Sequence, residues 1–324
     1  MITMKRNLFF FLLLSSLSLH ADLLSDIVSG VYRPTTLSEF VFMNDGERYA
    51  SLEDNKVCTY SCRTGKQLDT LFSADNTKLL QIDTVEGFLL SPDERYLLVY
   101  RDKQQRFRRS FNARYYLYDT ERRELTALAE DSLISSPLFS PDGKYIAYSR
   151  NNNLYLHKLA FGTDVAVTTD GEIGKVINGT TDWLYEEEFS ATSLFAFSPD
   201  SKQLAFVRFD ETNVPQFRWQ EMLSKGYPQD RSLKYTRAGE TNSSVSVVVY
   251  DTYYKSLKTM QINTDDAYIP RLRWIDNTNL AVFRLNRNQN RLEMFYANPK
   301  STVAKRYYIE EYKQGYVNYE LIDS

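Results

Sequence analysis

The chain is poor in the residues that build metal centres and disulfide frameworks. Its 324 residues include two histidines and two cysteines, too few for an ordinary zinc ligand set or a stapled fold. Glycine (12) and proline (9) are also scarce, which excludes collagen-like and low-complexity chains. Neither sign of charge dominates. With 39 basic and 42 acidic residues the formal charge is −3, so no basic field awaits a nucleic-acid backbone. Nothing in the sequence calls for a metal or an organic cofactor.

Rings are what the chain has in plenty: 24 tyrosines and 19 phenylalanines, in a sequence 43% hydrophobic and 25% charged. That overall balance is ordinary for a globular protein. Aromatic side chains at this frequency fit pleated, half-buried strand surfaces better than helix bundles. The length allows one large all-β domain or two average ones.

Residues 1–21 read as a secretory signal peptide. Lys5 and Arg6 are followed by an apolar run from Leu8 to Leu14, then by small residues ending at Ala21. The run is too short to span a bilayer, which takes about 20 residues. No membrane span is expected after cleavage. The product is expected to be secreted, periplasmic or at the cell surface.

Cleavage removes His20 and leaves His157, which sits in the strand-like run Leu154-Tyr155-Leu156-His157 and reads as a strand histidine. Cys58 and Cys62, four positions apart, would lie roughly 13 Å apart on an extended strand. A disulfide needs Cα atoms within about 7 Å. Only a bend between them would permit one, and the pairing stays open.

A repeat runs through the chain. Phe139-Ser140-Pro141-Asp142-Gly143-Lys144-Tyr145-Ile146-Ala147-Tyr148 is a turn leading into an alternating strand, with proline, glycine and short polar residues at type I turn positions. It recurs from Leu90 (Ser91-Pro92-Asp93) and from Phe197 (Ser198-Pro199-Asp200), and in degenerate form at Phe42 to Ala50 and Trp274 to Val282. Aligned turns at 44, 92, 141 and 199 are spaced by 48, 49 and 58 residues. A period near 50 with several short strands per unit is the pattern of a β-propeller of four-stranded blades. The interval to the weak fifth turn is 77 residues, and an insertion around 217–237 accounts for the excess. Five blades are visible. The pattern stops at Tyr319 to Ser324 without a closing strand, which would leave an open edge that natural sheets avoid.

The repeat is interrupted by Asp182-Trp183-Leu184-Tyr185-Glu186-Glu187-Glu188-Phe189-Ser190. Acidic runs are usually solvated surface. Aromatic residues directly before this one argue instead for a fixed segment. Two carboxylates held together suit an ammonium group, with its three donors and positive charge, such as the free amino terminus of a peptide.

This motif resembles the dipeptidyl peptidase IV branch of the prolyl oligopeptidase family. The likeness continues through Phe197-Ser198-Pro199 and Leu204 to Pro215, and on to Ala238-Gly239-Glu240-Thr241-Asn242. It is strong from about Leu90 to Tyr250 and weaker at both ends. The resemblance implies the N-terminal propeller of a serine exopeptidase that releases Xaa-Pro or Xaa-Ala dipeptides, with peptide or protein substrates bearing a free N-terminus as partners. It implies that Glu187 and Glu188 clamp the substrate ammonium and set the two-residue ruler. Arg108, in Phe107-Arg108-Arg109-Ser110-Phe111, matches the family arginine that binds a substrate carbonyl and orients the glutamates. It stands among six basic residues between Arg101 and Arg114, for which a solvated basic loop is the plain alternative. Ser190 would lie beside the clamp, although this stretch is one residue shorter than in the family. A homodimer is also compatible with the resemblance.

The family's hydrolase elements are not in this sequence. No Gly-x-Ser-x-Gly elbow occurs, and no Ser-His-Asp triad can be assembled. No catalytic residue is therefore assigned. The ring in the family is eight-bladed and precedes the hydrolase domain of the same protein. The chain thus reads as an incomplete portion of that ring: a fragment, a truncated reading frame or a split subunit, inactive alone. The rival reading is a non-catalytic exported propeller that binds peptides or acts as a scaffold.

Overall fold

The computed structural model describes residues 23–34, 36–37, 39–222 and 226–318. The expected signal peptide lies outside the described residues. The chain divides into two compact units, residues 1–40 and 41–324. The described part of the first contains a helical segment over 23–29.

Residues 40–311 form successive small sheets. The first sheet runs β1 (Phe40–Phe42), β2 (Arg48–Glu53), β3 (Lys56–Ser61) and β4 (Gln67–Ser73) in spatial order. The second comprises β5 (Gly87–Leu90), β6 (Tyr96–Gln105), β7 (Phe111–Asp119) and β8 (Glu124–Ala127). The third comprises β9 (Leu133–Phe139), β10 (Tyr145–Arg150), β11 (Asn153–Lys158) and β12 (Thr163–Ala166), joined to the second where Ala113 of β7 pairs Ile134 of β9. In the fourth, β13 (Val176–Asn178) and β14 (Phe195–Phe197) share one edge of β15 (Gln203–Asp210). A separate hairpin follows, β16 (Gln216–Glu221) with β17 (Gln229–Lys234). The fourth sheet is then completed by β18 (Ser244–Asp251) and β19 (Ser256–Thr259). The fifth holds β20 (Ala267–Trp274), β21 (Leu280–Asn286), β22 (Arg291–Ala297) and β23 (Ala304–Glu311). Each sheet is a blade of the kind the repeat predicts.

The turn chemistry explains why the blades recur. Ser140 Oγ donates to Asp142 Oδ1 at 2.8 Å and accepts the Tyr145 N–H at 2.9 Å. Ser91 and Ser198 do the same with Asp93 and Asp200, and with the N–H groups of Tyr96 and Gln203. The three serines are almost completely buried. Each hydroxyl therefore closes the turn and satisfies the first amide of the following strand. The fourth turn position has positive φ in all three copies, held by Glu94, Gly143 and Ser201 (φ 60°, 67° and 60°).

Strand alternation then assigns alternate residues to alternate cores. Leu97 and Val99 of β6 face blade one, packing with Val57 and Phe72. Leu98 and Tyr100 of the same strand face blade three, packing with Ile146 and Tyr148. Ala147 of β10 points the other way, into the core that Leu204 and Phe206 share with blade three. Ala205 and Val207 join the final core, with blade five. No blade hides its faces alone; stacking does it. A one-residue register slip would exchange the two cores of a blade, so the register is strongly specified.

Cys58 and Cys62 are both free thiols, the first buried in β3 and the second exposed. His157 lies in β11, buried, with Nδ1 3.0 Å from Asp164 Oδ1. Burial acts to raise the Asp164 carboxyl, but the His157 bond and charge, helped by Tyr148 and Arg150, hold it below its ordinary value.

Candidate functional site

The acidic motif folds as a single short helix, α1 (Trp183–Phe189), between β13 and β14. Asp182 caps it, with Oδ1 accepting the Tyr185 N–H at 2.9 Å while Oδ2 accepts the Ser243 hydroxyl at 2.6 Å. Burial raises the Asp182 carboxyl, opposed by those two hydrogen bonds and by the Arg106 charge. Tyr185 and Phe189, one helical turn apart, enter the core of blades four and five. The Tyr185 hydroxyl accepts the Ile269 N–H at 2.8 Å, and its ring meets Phe209 edge-on with centroids 4.7 Å apart. The helix is thus pinned at its start and along one face. Ser190 ends it in the left-handed region (φ 53°), its N–H donating to the Tyr185 carbonyl.

The three glutamates have three different environments. Glu186 is completely buried, Glu187 is half-buried with 22% of its side chain exposed, and Glu188 is exposed. Both outer carboxylates lie toward the helix C-terminus, whose free carbonyls carry partial negative charge. That end of the helix has no basic residue of its own. The site therefore concentrates negative potential where a cation could reach it.

Its counter-charges come from blade two. The loop 106–110 at the tip of the β6–β7 hairpin closes with the Arg106 N–H donating to the Ser110 carbonyl at 2.9 Å. It reaches α1 across 77 positions of sequence. There Arg108 Nη1 lies 3.5 Å from Glu187 Oε2. Arg109 Nη1 donates to the Glu186 carbonyl at 2.7 Å, and the Ser110 N–H donates to Glu186 Oε1 at 2.7 Å. The Arg109 N–H donates to the same oxygen. Burial pushes the Arg106 guanidinium below its ordinary range, opposed by the charges of Glu211, Glu186 and Asp182.

The basic run from Arg101 to Arg114 is more than a solvated loop. Arg101 donates to the Tyr116 hydroxyl, Lys103 lies over the Phe111 ring, Arg106 over Phe107, and Arg114 pairs with Asp131.

Of the residues singled out from sequence, Arg108 and Glu187 are brought together, and Glu188 follows on the same helix. Ser190 serves the helix terminus through its backbone. Sequence reasoning passed over Arg109, Ser110 and the buried role of Glu186, because three adjacent glutamates look alike until a fold separates them. Asn242, within the quoted Ala238 to Asn242 segment, donates to the Tyr268 hydroxyl at 2.8 Å. Burial raises the Tyr268 hydroxyl, with the Glu188 charge adding to that effect. Beside the helix, Trp183, Tyr235 and Phe217 form a continuous aromatic wall, with centroids 4.4 and 5.8 Å apart. No group of three or more metal-ligating side chains with metal-site spacing occurs among the described residues.

Blades stacked face to face, with an acidic helix let into the fourth, define a propeller domain with a built-in polar site. Its sequence over residues 91–323 matches the family model of the dipeptidyl peptidase IV N-terminal region, and the chain belongs to that family. Among solved structures it is similar to Porphyromonas gingivalis dipeptidyl peptidase 4, at a TM-score of 0.87 and 37% identity, covering 92% of this chain and 43% of that one. Among curated proteins it is similar to human prolyl endopeptidase FAP, 28% identical over 283 residues (84% of this chain, 36% of the relative). It is also similar to a probable dipeptidyl-aminopeptidase B of Emericella nidulans, 31% identical over 240 residues (68% and 26%). The chain thus spans about a quarter to a third of the length of these curated relatives. No helix among the described residues is long and apolar enough to cross a membrane.

Proposed function

We propose that this chain is the propeller part of an exported dipeptidyl peptidase, and that α1 reads the free amino terminus of the peptide substrate. Glu187 and Glu188 hold the ammonium by charge-assisted hydrogen bonds. Arg108 stays beside Glu187 and offers its remaining N–H groups to a substrate carbonyl oxygen. A fixed ammonium site admits only a set number of residues before the nucleophile, so a dipeptide leaves. The nucleophile, base and orienting acid belong to a hydrolase domain of the same protein, and residues 1–21 direct export. The ring that the five blades begin is eight-bladed.

The observation that carries this reading is the pairing of Arg108 with Glu187 at 3.5 Å, made by elements from two different blades. A solvated acidic surface would not need an arginine delivered from a remote hairpin. Kinetics of the two-domain peptidase on a free-amine Xaa-Pro substrate and its N-acetylated counterpart test it. Losing one charged hydrogen bond removes about 1.5–3 kcal/mol, so Glu187→Gln or Glu188→Gln lowers kcat/KM roughly 10- to 150-fold on the free amine. The acetylated substrate should be turned over equally by wild type and variants. Unchanged free-amine turnover in both variants would leave these glutamates as surface charge.

A further inference from the structure

We infer that Glu186 is a positioning residue: its buried carboxylate anchors the 106–110 loop to α1 and so fixes Arg108 against Glu187. This rests on the ammonium-clamp reading and assigns the first glutamate a task different from that of the other two.

Glu186 is 0% exposed, and a carboxylate is not tolerated there unless hydrogen bonds replace its water. The replacements are specific. Oε1 accepts the consecutive backbone N–H groups of Arg109 and Ser110. The carbonyl of the same residue accepts from Arg109 Nη1 at 2.7 Å. One residue of the helix therefore grips one turn of loop by three bonds, two to backbone and one to a guanidinium. Oε2 is buried without a hydrogen-bond partner, so the grip is one-sided, directed at the loop.

Arg108 immediately precedes the gripped residues. Its own side chain is 71% exposed, and nothing about its exposure would hold it in place. A long exposed arginine on a free loop is ordered only at the cost of both side-chain and backbone freedom. The anchor removes the backbone part of that disorder in advance, as preorganisation of a binding group requires. Glu187 and Glu188 follow Glu186 directly on the helix, so the residue that fixes the loop also fixes the carboxylates it must meet.

Substitutions separate this role from charge. Gln at 186 retains an oxygen that accepts both N–H groups; Leu retains the volume and no acceptor. In the two-domain peptidase, Glu186→Leu should lower kcat/KM on a free-amine Xaa-Pro substrate by roughly 100-fold, the typical cost of about 1 Å of misplacement in a positioning group. It should lower turnover of the N-acetylated substrate less, because there only the Arg108 contact with the substrate carbonyl is disturbed. Glu186→Gln should stay within about threefold of wild type, less than the loss of one charged hydrogen bond would cause. Amide hydrogen exchange of the wild type supplies a readout that needs no variant to fold. The Arg109 and Ser110 amides should exchange slowly although they sit at a hairpin tip, and Glu186→Leu should make them fast. Rapid exchange of both amides in the wild type overturns the inference, as does a Gln variant as impaired as the Leu variant. Glu187→Gln and Glu188→Gln are the controls: if both leave free-amine turnover unchanged the clamp reading fails, whereas slow Arg109 and Ser110 amides would still uphold the anchor.

Discussion

Replacing Asp182 tests how α1 is held. Asp182 is 7% exposed, and its carboxylate uses both oxygens, one on the Tyr185 N–H and one on the Ser243 hydroxyl. Asp182→Ala removes an N-cap, typically about 1 kcal/mol, and strands a buried hydroxyl, about 1–3 kcal/mol. The expected loss is therefore about 2–4 kcal/mol. Asp182→Asn keeps the oxygen that caps the helix, and its amide group can donate to Ser243, which reverses roles. It should cost less than about 1 kcal/mol. The pH dependence separates the two further. Because burial raises the folded carboxyl above its ordinary 3.8, the native state binds the proton more readily than the unfolded chain. This group's contribution to stability thus increases as pH falls through the folded value, and the Asn variant lacks that increment. Urea unfolding at several pH values, with midpoints and slopes compared, measures all three proteins. An Ala variant as stable as the Asn variant would refute the capping argument.

Three further outcomes follow from the fold. Ser140→Ala removes a hydroxyl that donates to Asp142 and accepts the Tyr145 N–H, so it should lower the unfolding free energy by about 1–3 kcal/mol in the same urea assay. Gly171→Ala would place its Cβ 2.4 Å from the Asn152 carbonyl oxygen; the backbone must shift, and a clear fall in Tm is expected, whereas Gly46→Ala meets no atom within 4 Å and is strained only by its φ of 69°. Glu293 is buried beneath Arg284, Arg291 and Arg306. Burial acts to raise its carboxyl, but the arginine hydrogen bonds prevail and hold it below 4.5. Its stabilisation is therefore complete above pH 4.5 and lost as pH falls through the lower folded value. A Glu293→Gln variant should be less stable at neutral pH and should lose less than wild type on acidification.

Much of the architecture was legible because the information is local. Ser91-Pro92-Asp93 and its two copies specify a turn within a few residues, and alternation in Tyr145 to Tyr148 specifies a strand with two buried faces. The inserted stretch was legible only as an interruption; nothing in Phe217 to Arg237 announced that Gln216 would face Lys234 across a hairpin. Helix α1 was hidden for a different reason. At seven residues it is too short to display a 3.6-residue period, and its cap is satisfied by Ser243, 61 positions away. The resemblance set Glu187 and Glu188 apart from Glu186, but the burial of Glu186 and its bonds to Arg109 and Ser110 were equally hidden, since they depend on a loop 77 positions distant.

On the proposed function, the outer carboxylates of α1 receive a peptide ammonium beside Arg108. A crystal structure of the two-domain peptidase holding a slowly cleaved, unblocked peptide tests it most directly. The peptide nitrogen should lie about 2.7–3.2 Å from carboxylate oxygens of Glu187 and Glu188, the range of a charged hydrogen bond, with Arg108 turned to a peptide carbonyl. A peptide bound with its amino terminus away from the helix, or an N-acetylated peptide bound in the same place with equal affinity, would contradict it.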